Sequence, residues 1–222
     1  MKSVHLLMIL LFLHTILASQ TVLAQQSSIN SPTINNSNWQ PLEGEHYLTL
    51  QSQTDQSTPS VIEFYFWPGS ASCYQLELAL QKWQLANPTI EVQRIPLVKR
   101  PSWRLLSKAW LTAVELNLAD NFLNQLYHTI HQQSKTIKDN AELEQFLQSL
   151  NIDVVSFMSM FNSTLINQKL RSIELSNQLL PLQGVPSIVI NKKWLSDASM
   201  VTTSAHFLSV IEHLSPKLVK EQ

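Results

Sequence analysis

The stretch Val61-Ile62-Glu63-Phe64-Tyr65-Phe66-Trp67-Pro68-Gly69-Ser70-Ala71-Ser72-Cys73 decides the fold. Its first seven residues are apolar except for Glu63, and such a run suits a strand buried on both faces of a parallel or mixed sheet. Pro68 and Gly69 break the run, and Cys73 to Leu85 then places Leu76, Leu80 and Trp83 at helical spacing. Ile90 to Val98 is a second strand candidate. Strand, helix and strand in this order make a βαβ unit, whose crossover is right-handed.

Upstream, Tyr47-Leu48-Thr49-Leu50 reads as a short edge strand before a polar loop, Gln51 to Ser60. Order is expected from Trp39. The segment 25–38 is Gln, Ser, Asn and Thr with few apolar residues and reads as a flexible tether. Lys2, the apolar run Val4 to Ala18 and the small-residue end Val22-Leu23-Ala24 read as a secretory signal peptide, 1–24. The run is short for a membrane span, which needs roughly 20 apolar residues, so no anchor is expected after cleavage.

Downstream, Trp103 to Leu179 contains no Gly and no Pro and reads as four or five short helices. Trp110, Val114 and Leu118 are expected on one buried face, as are Phe122, Leu126 and Ile130, with Leu143, Phe146, Leu147 and Leu150 forming another stripe. Polar breaks are expected at Asp120-Asn121, Lys138-Asp139-Asn140 and Asn151-Ile152-Asp153. Ser187 to Ile190 reads as a strand, Asn191-Lys192-Lys193 as a turn into Trp194-Leu195, and Thr203 to Val219 as a closing amphipathic helix. The order predicts an α/β domain over 39–222 with a thioredoxin-like layout and a helical block, about 103–179, inserted between its halves.

Composition removes several function classes. With 15 Lys+Arg against 16 Asp+Glu, the net charge of −1 offers no footprint for nucleic acid. One cysteine in 222 residues excludes an internal disulfide framework, a four-thiolate zinc site and a self-contained dithiol centre. His128 and His131 stand at i and i+3 on a helix but lack a third ligand, so they are read as solvent-facing and no metal is assigned. Ser70 lacks the nucleophile-elbow context of a hydrolase, and there is no phosphate loop.

Five segments in order carry a resemblance. They are Gly44-Glu45-His46-Tyr47, Glu63-Phe64-Tyr65, Cys73-Tyr74-Gln75-Leu76-Glu77, Lys108-Ala109-Trp110 and Gly184-Val185-Pro186. Together they make the chain resemble, from about Gly44 to Leu218, the DsbA family of periplasmic thiol:disulfide oxidoreductases.

That family uses a Cys-x-x-Cys pair at a helix start, where free N–H groups and the helix dipole favour a thiolate. The resemblance makes Cys73 the second, shielded cysteine and puts Ser70 at the position of the lost attacking sulfur. Glu63, however, stands one residue further from Cys73 than the family pattern has it, which leaves Gly69 as the other candidate for that position. Dithiol oxidation by this chain alone is excluded. Cys73 is then either a buried, inert thiol or a single thiol of lowered pKa that exchanges with a client or with glutathione, resolved by some other thiol.

The resemblance also implies that Pro186 is a cis proline beside the site and that Val185 offers its backbone to an extended client strand. Glu63 corresponds to an acid beneath the cysteines that tunes proton transfer, and Arg94 to its basic partner. The expected partners are unfolded or secreted protein clients and a redox partner protein in the periplasm. Two alternatives stay open: a kappa-class-like glutathione-dependent transferase using Ser70, and a redox-inactive partner-binding module.

Overall fold

The computed structural model describes residues 39–50 and 61–219; the expected signal, tether and polar loop lie outside these residues. Five strands form one mixed sheet in the order β1-β5-β4-β2-β3: β1 Leu48–Thr49, β2 Val61–Phe66, β3 Glu91–Pro96, β4 Ser187–Ile190 and β5 Trp194–Asp197. β2 is an interior strand, parallel to β3 and antiparallel to β4, which explains why its sequence is apolar on both faces. β1 closes the far edge by pairing with β5.

Seven α-helices among the described residues complete the domain. α1 Ala71–Ala86 joins β2 to β3; α2 Arg104–Glu115, α3 Ala119–Tyr127, α4 Asn140–Ser149, α5 Val154–Phe161 and α6 Thr164–Gln178 lie between β3 and β4; α7 Ser204–Val219 is the last described element and packs on α1. A 3₁₀ turn, Pro101–Trp103, precedes α2, and a π-helical turn, His128–Gln132, follows α3. Asp139 and Asp153 cap α4 and α5 as their sequence positions suggest, and Ser163 caps α6. No helix among the described residues is long and apolar enough to cross a membrane.

Two details differ from the sequence reading. The break after α2 falls at Asn117, which takes a left-handed φ of 58°, rather than at Asp120-Asn121, which lie within α3. Val114 is 42% exposed, because the inward face of α2 runs through Leu106, Ala109, Trp110 and Ala113.

Side-chain parity across the sheet positions everything that follows. Ile62, Phe64 and Phe66 point to one face, Glu63 and Tyr65 to the other. The face of Tyr65 carries a core of Tyr65, Leu97, Leu182, Val189 and Leu195. The hairpin between β4 and β5 turns through Asn191, Lys192 and Lys193, with the first two at φ 49° and 54° and Lys193 N–H donating to Ile190 O at 2.9 Å.

The edge strand β3 is protected against pairing. Its alternate carbonyls, those of Val92, Arg94 and Pro96, accept from Arg94 Nη1 (3.1 Å), Trp110 Nε1 (3.3 Å) and Asn177 Nδ2 (3.1 Å). Pro96, which has no N–H to offer, sits where an edge strand tolerates it. Three side chains therefore occupy the acceptors that another strand would use.

Candidate functional site

β2 and β4 run antiparallel with Tyr65 opposite Ser187, so the turn after β2 and the turn before β4 leave the same end of the sheet. The first turn is Trp67 to Ser70, closed by Ser70 N–H donating to Trp67 O at 3.0 Å. Ser70 is the N-cap of α1: its extended backbone (φ −92°, ψ 121°) lets Oγ accept from Cys73 N–H at 3.3 Å. The Trp67 indole lies under Gly69 and stacks on Trp103, with centroids 4.8 Å apart and planes 7° apart. A Cβ built at Gly69 would stand 2.2 Å from the Trp67 ring.

Cys73 is fully buried. Burial pushes its thiol up to about 11, against hydrogen bonds from Ser70 and the Trp67 backbone that favour the thiolate, while the Glu77 carboxylate adds to the rise. Of the two alternatives for Cys73, burial favours the shielded thiol over one of lowered pKa, and the small residues Gly69 and Ser70 leave the residue with no exposed surface.

The Val185–Pro186 peptide bond is cis. Its loop is held at several points: Asp197, wholly buried, accepts from Gln183 N–H at 3.2 Å, Ser187 Oγ donates to Gly184 O at 2.7 Å, Ala198 N–H donates to Pro186 O at 3.0 Å, and Lys99 Nζ donates to Leu182 O. The backbone groups of Val185 have no hydrogen-bond partner among the described residues. An unpaired N–H and C=O in a fixed loop at a sheet end can accept a strand from another chain.

Glu63 and Arg94 do not pair. Arg94 stands opposite Phe64 in the β2–β3 register, so its side chain leaves the sheet on the Phe64 face. There it grips Glu77 of α1, with Nε at 3.0 Å from both carboxylate oxygens and Nη2 at 2.8 Å from Oε1. Glu63 points to the opposite face, where it accepts from Tyr65 OH at 3.2 Å. Burial raises its pKa, partly offset by that hydrogen bond and by Lys192. It lines a cleft of about 870 Å³ with Tyr65, Ile95, Leu180 and Lys192. Glu77, on the Arg94 side of the sheet, adds the smallest of the effects that raise the Cys73 thiol, whereas Glu63 lies on the opposite face.

The two histidines diverge. His128 Nδ1 lies 3.2 Å from Gln133 Nε2, whereas His131 reaches across 63 positions to put Nε2 2.9 Å from Pro68 O. His131 also stacks on Tyr74, and Tyr127 packs against both rings. Among the described residues no group of three His, Cys, Asp or Glu is arranged to hold a metal ion. The sequence did not mark Tyr74, His131 and Glu77 as parts of the site; His131, expected to face solvent with His128, instead contacts Pro68 O and stacks on Tyr74.

Comparison with known proteins agrees with this fold. The model of the DSBA-like thioredoxin domain matches residues 94–209, a span that begins after the Ser70–Cys73 segment. The thiol:disulfide interchange protein DsbA of Pseudomonas aeruginosa is 25% identical over 177 residues, 78% of this chain and 84% of its own. That of Azotobacter vinelandii is 23% identical over 174 residues, 77% and 81% of the two chains. The solved structure of Pseudomonas aeruginosa DsbA is similar with a TM-score of 0.72 at 23% identity, over 80% of this chain and 94% of that one. Oxidoreductase DsbA from Xylella fastidiosa gives 0.71 at 18% identity, over 81% and 98%.

Proposed function

Because the chain belongs to the DSBA-like thioredoxin-domain family, whose relatives are thiol:disulfide interchange proteins, we propose that it binds extended protein segments at the Val185–Pro186 loop without dithiol chemistry. The observation that carries this reading is a contrast within one site. The backbone of Val185 is unpaired among the described residues in a loop fixed by Asp197, Ser187 and Ala198, whereas the only thiol is buried and its thiolate disfavoured. Ser70, one turn before Cys73, supplies a hydroxyl that cannot form or exchange a disulfide.

On this reading Ser70 occupies the position of the attacking cysteine, supported by its capping of α1 three residues before Cys73 and by the lack of room for a side chain at Gly69. Cys73 is a core residue, and thiol exchange through it would require α1 to open at its start. The working compartment is the periplasm, reached by cleavage of a signal over 1–24; residues 25–38 tether the domain, and the partners are unfolded or secreted chains.

The test is an amide chemical-shift titration of the mature protein with reduced, carboxymethylated lactalbumin, a permanently unfolded chain. Shifts should concentrate at 67–70 and 183–186 and be the same in Cys73→Ala. Absence of binding, or binding lost with the thiol, would overturn the reading.

A further inference from the structure

We infer that His131 is a positioning residue, which holds the Trp67–Ser70 turn in its binding conformation from the helical block. The inference rests on the binding proposed at the Val185–Pro186 loop, which leaves the same end of the sheet as this turn. A carbonyl oxygen only accepts, so the 2.9 Å contact to Pro68 O requires Nε2 to carry the proton. That donor is present in the neutral Nε2–H tautomer and in the imidazolium alike. The ring is then fixed on its flat side, since it lies 5.4 Å from Tyr74, centroid to centroid, with planes 7° apart.

The contact exists because the chain widens at this point. His128–Gln132 is a π-helical turn, with Gln133 N–H donating to His128 O and Lys135 N–H to Thr129 O, and Ser134 ends it at a left-handed φ of 54°. Single π-turns of this kind redirect side chains relative to an unbroken α-helix and recur at functional sites. Gln132, the next residue, donates from Nε2 to Tyr74 OH at 3.3 Å. Two successive residues of one turn thus engage the start of α1, one through the backbone of the turn before it and one through the tyrosine that follows Cys73. Pro68 is buried, and its carbonyl has no other partner among the described residues.

The wild-type protein gives the first test: nitrogen shifts of the His131 imidazole at neutral pH should show Nε2 protonated. A neutral ring protonated at Nδ1 would contradict the donation. The second test uses two variants. His131→Phe keeps a ring against Tyr74 and removes the donor, while His131→Gln restores an N–H donor. Binding of reduced, carboxymethylated lactalbumin should weaken roughly fivefold in His131→Phe, the loss of one hydrogen bond, and recover in His131→Gln. The amides of Gly69 and Ser70 should shift in the first variant and return in the second. Wild-type affinity with unmoved amides in His131→Phe would overturn the inference. A wild type that does not bind lactalbumin at all would instead overturn the proposed function, leaving the tautomer and the Gly69 and Ser70 amides to decide the role of His131.

Discussion

Ser70 Oγ accepts the backbone N–H of Cys73 at 3.3 Å, so the first position of the motif serves the helix as a cap. The two residues stand one helical turn apart, as two sulfurs of a Cys-x-x-Cys pair would. On the proposed reading these are the two positions of a redox pair, with an alcohol at one end and a buried thiol at the other.

Restoring the sulfur tests this placement. Ser70→Cys should close a disulfide with Cys73 on oxidation, seen as the loss of two hydrogens by mass, and should gain insulin-reducing activity absent from wild type. The lost cap should cost about 1 kcal/mol of stability. Gly69→Cys should give neither effect and should destabilise, because its Cβ would meet the Trp67 ring at 2.2 Å. The reverse pattern would show that Gly69 holds the position.

Cys73 also predicts a pH dependence. Its thiol rises from an ordinary value of 9.0 to about 11 on folding. Between these values the unfolded chain loses a proton that the folded chain keeps, so stability falls as pH rises through this window. The contribution is at most about 3 kcal/mol, from two pKa units. Burial also raises Tyr65 and Tyr127, which act in the same direction, so the thiol is isolated by comparison with Cys73→Ala. Urea melts at pH 8 and 10.5 should show a smaller loss in the variant; parallel losses would sink the assignment.

Arg94 and Glu77 form a buried pair, with Glu77 1% exposed and Arg94 19%. Arg94→Met should destabilise by about 3 kcal/mol, because it leaves the carboxylate buried without its cation. Adding Glu77→Leu should recover most of that loss. Glu63→Gln, on the opposite face, should change stability by less than about 1 kcal/mol. Denaturant unfolding measures all three, and a Glu63 effect as large as that of Arg94 would contradict the face assignment.

The guarded edge makes a fourth case. Asn177→Ala frees the Pro96 carbonyl in a buried site, which should cost about 1–3 kcal/mol and raise the tendency to associate through β3. Sedimentation of the variant at rising concentration should show self-association that wild type lacks.

Much of this fold was legible because its signals are local. The apolar run of β2, the Pro68-Gly69 break, the Asp139 and Asp153 caps and the Asn191-Lys192 turn each act within a few residues. The site was less legible because it depends on register and reach. Whether Arg94 meets Glu63 or Glu77 turns on the parity of β2 against β3, and one residue of offset exchanges the faces. Which face of α2 is buried likewise follows from its tertiary neighbours, which favour Ala113 over the more hydrophobic Val114. The approach of His131 to Pro68 needs a π-turn that a 3.6-residue period does not announce.

The proposed function makes the one thiol of this chain a core residue and not its chemistry. The most direct measurement expresses the protein with its own signal, quenches the cells in acid, alkylates free thiols after denaturation, and compares wild type with Cys73→Ala on nonreducing gels and by intact mass. The account predicts a uniformly free Cys73 and no difference in adducts between the two. Mixed disulfides with other proteins or with glutathione that depend on Cys73 would contradict it.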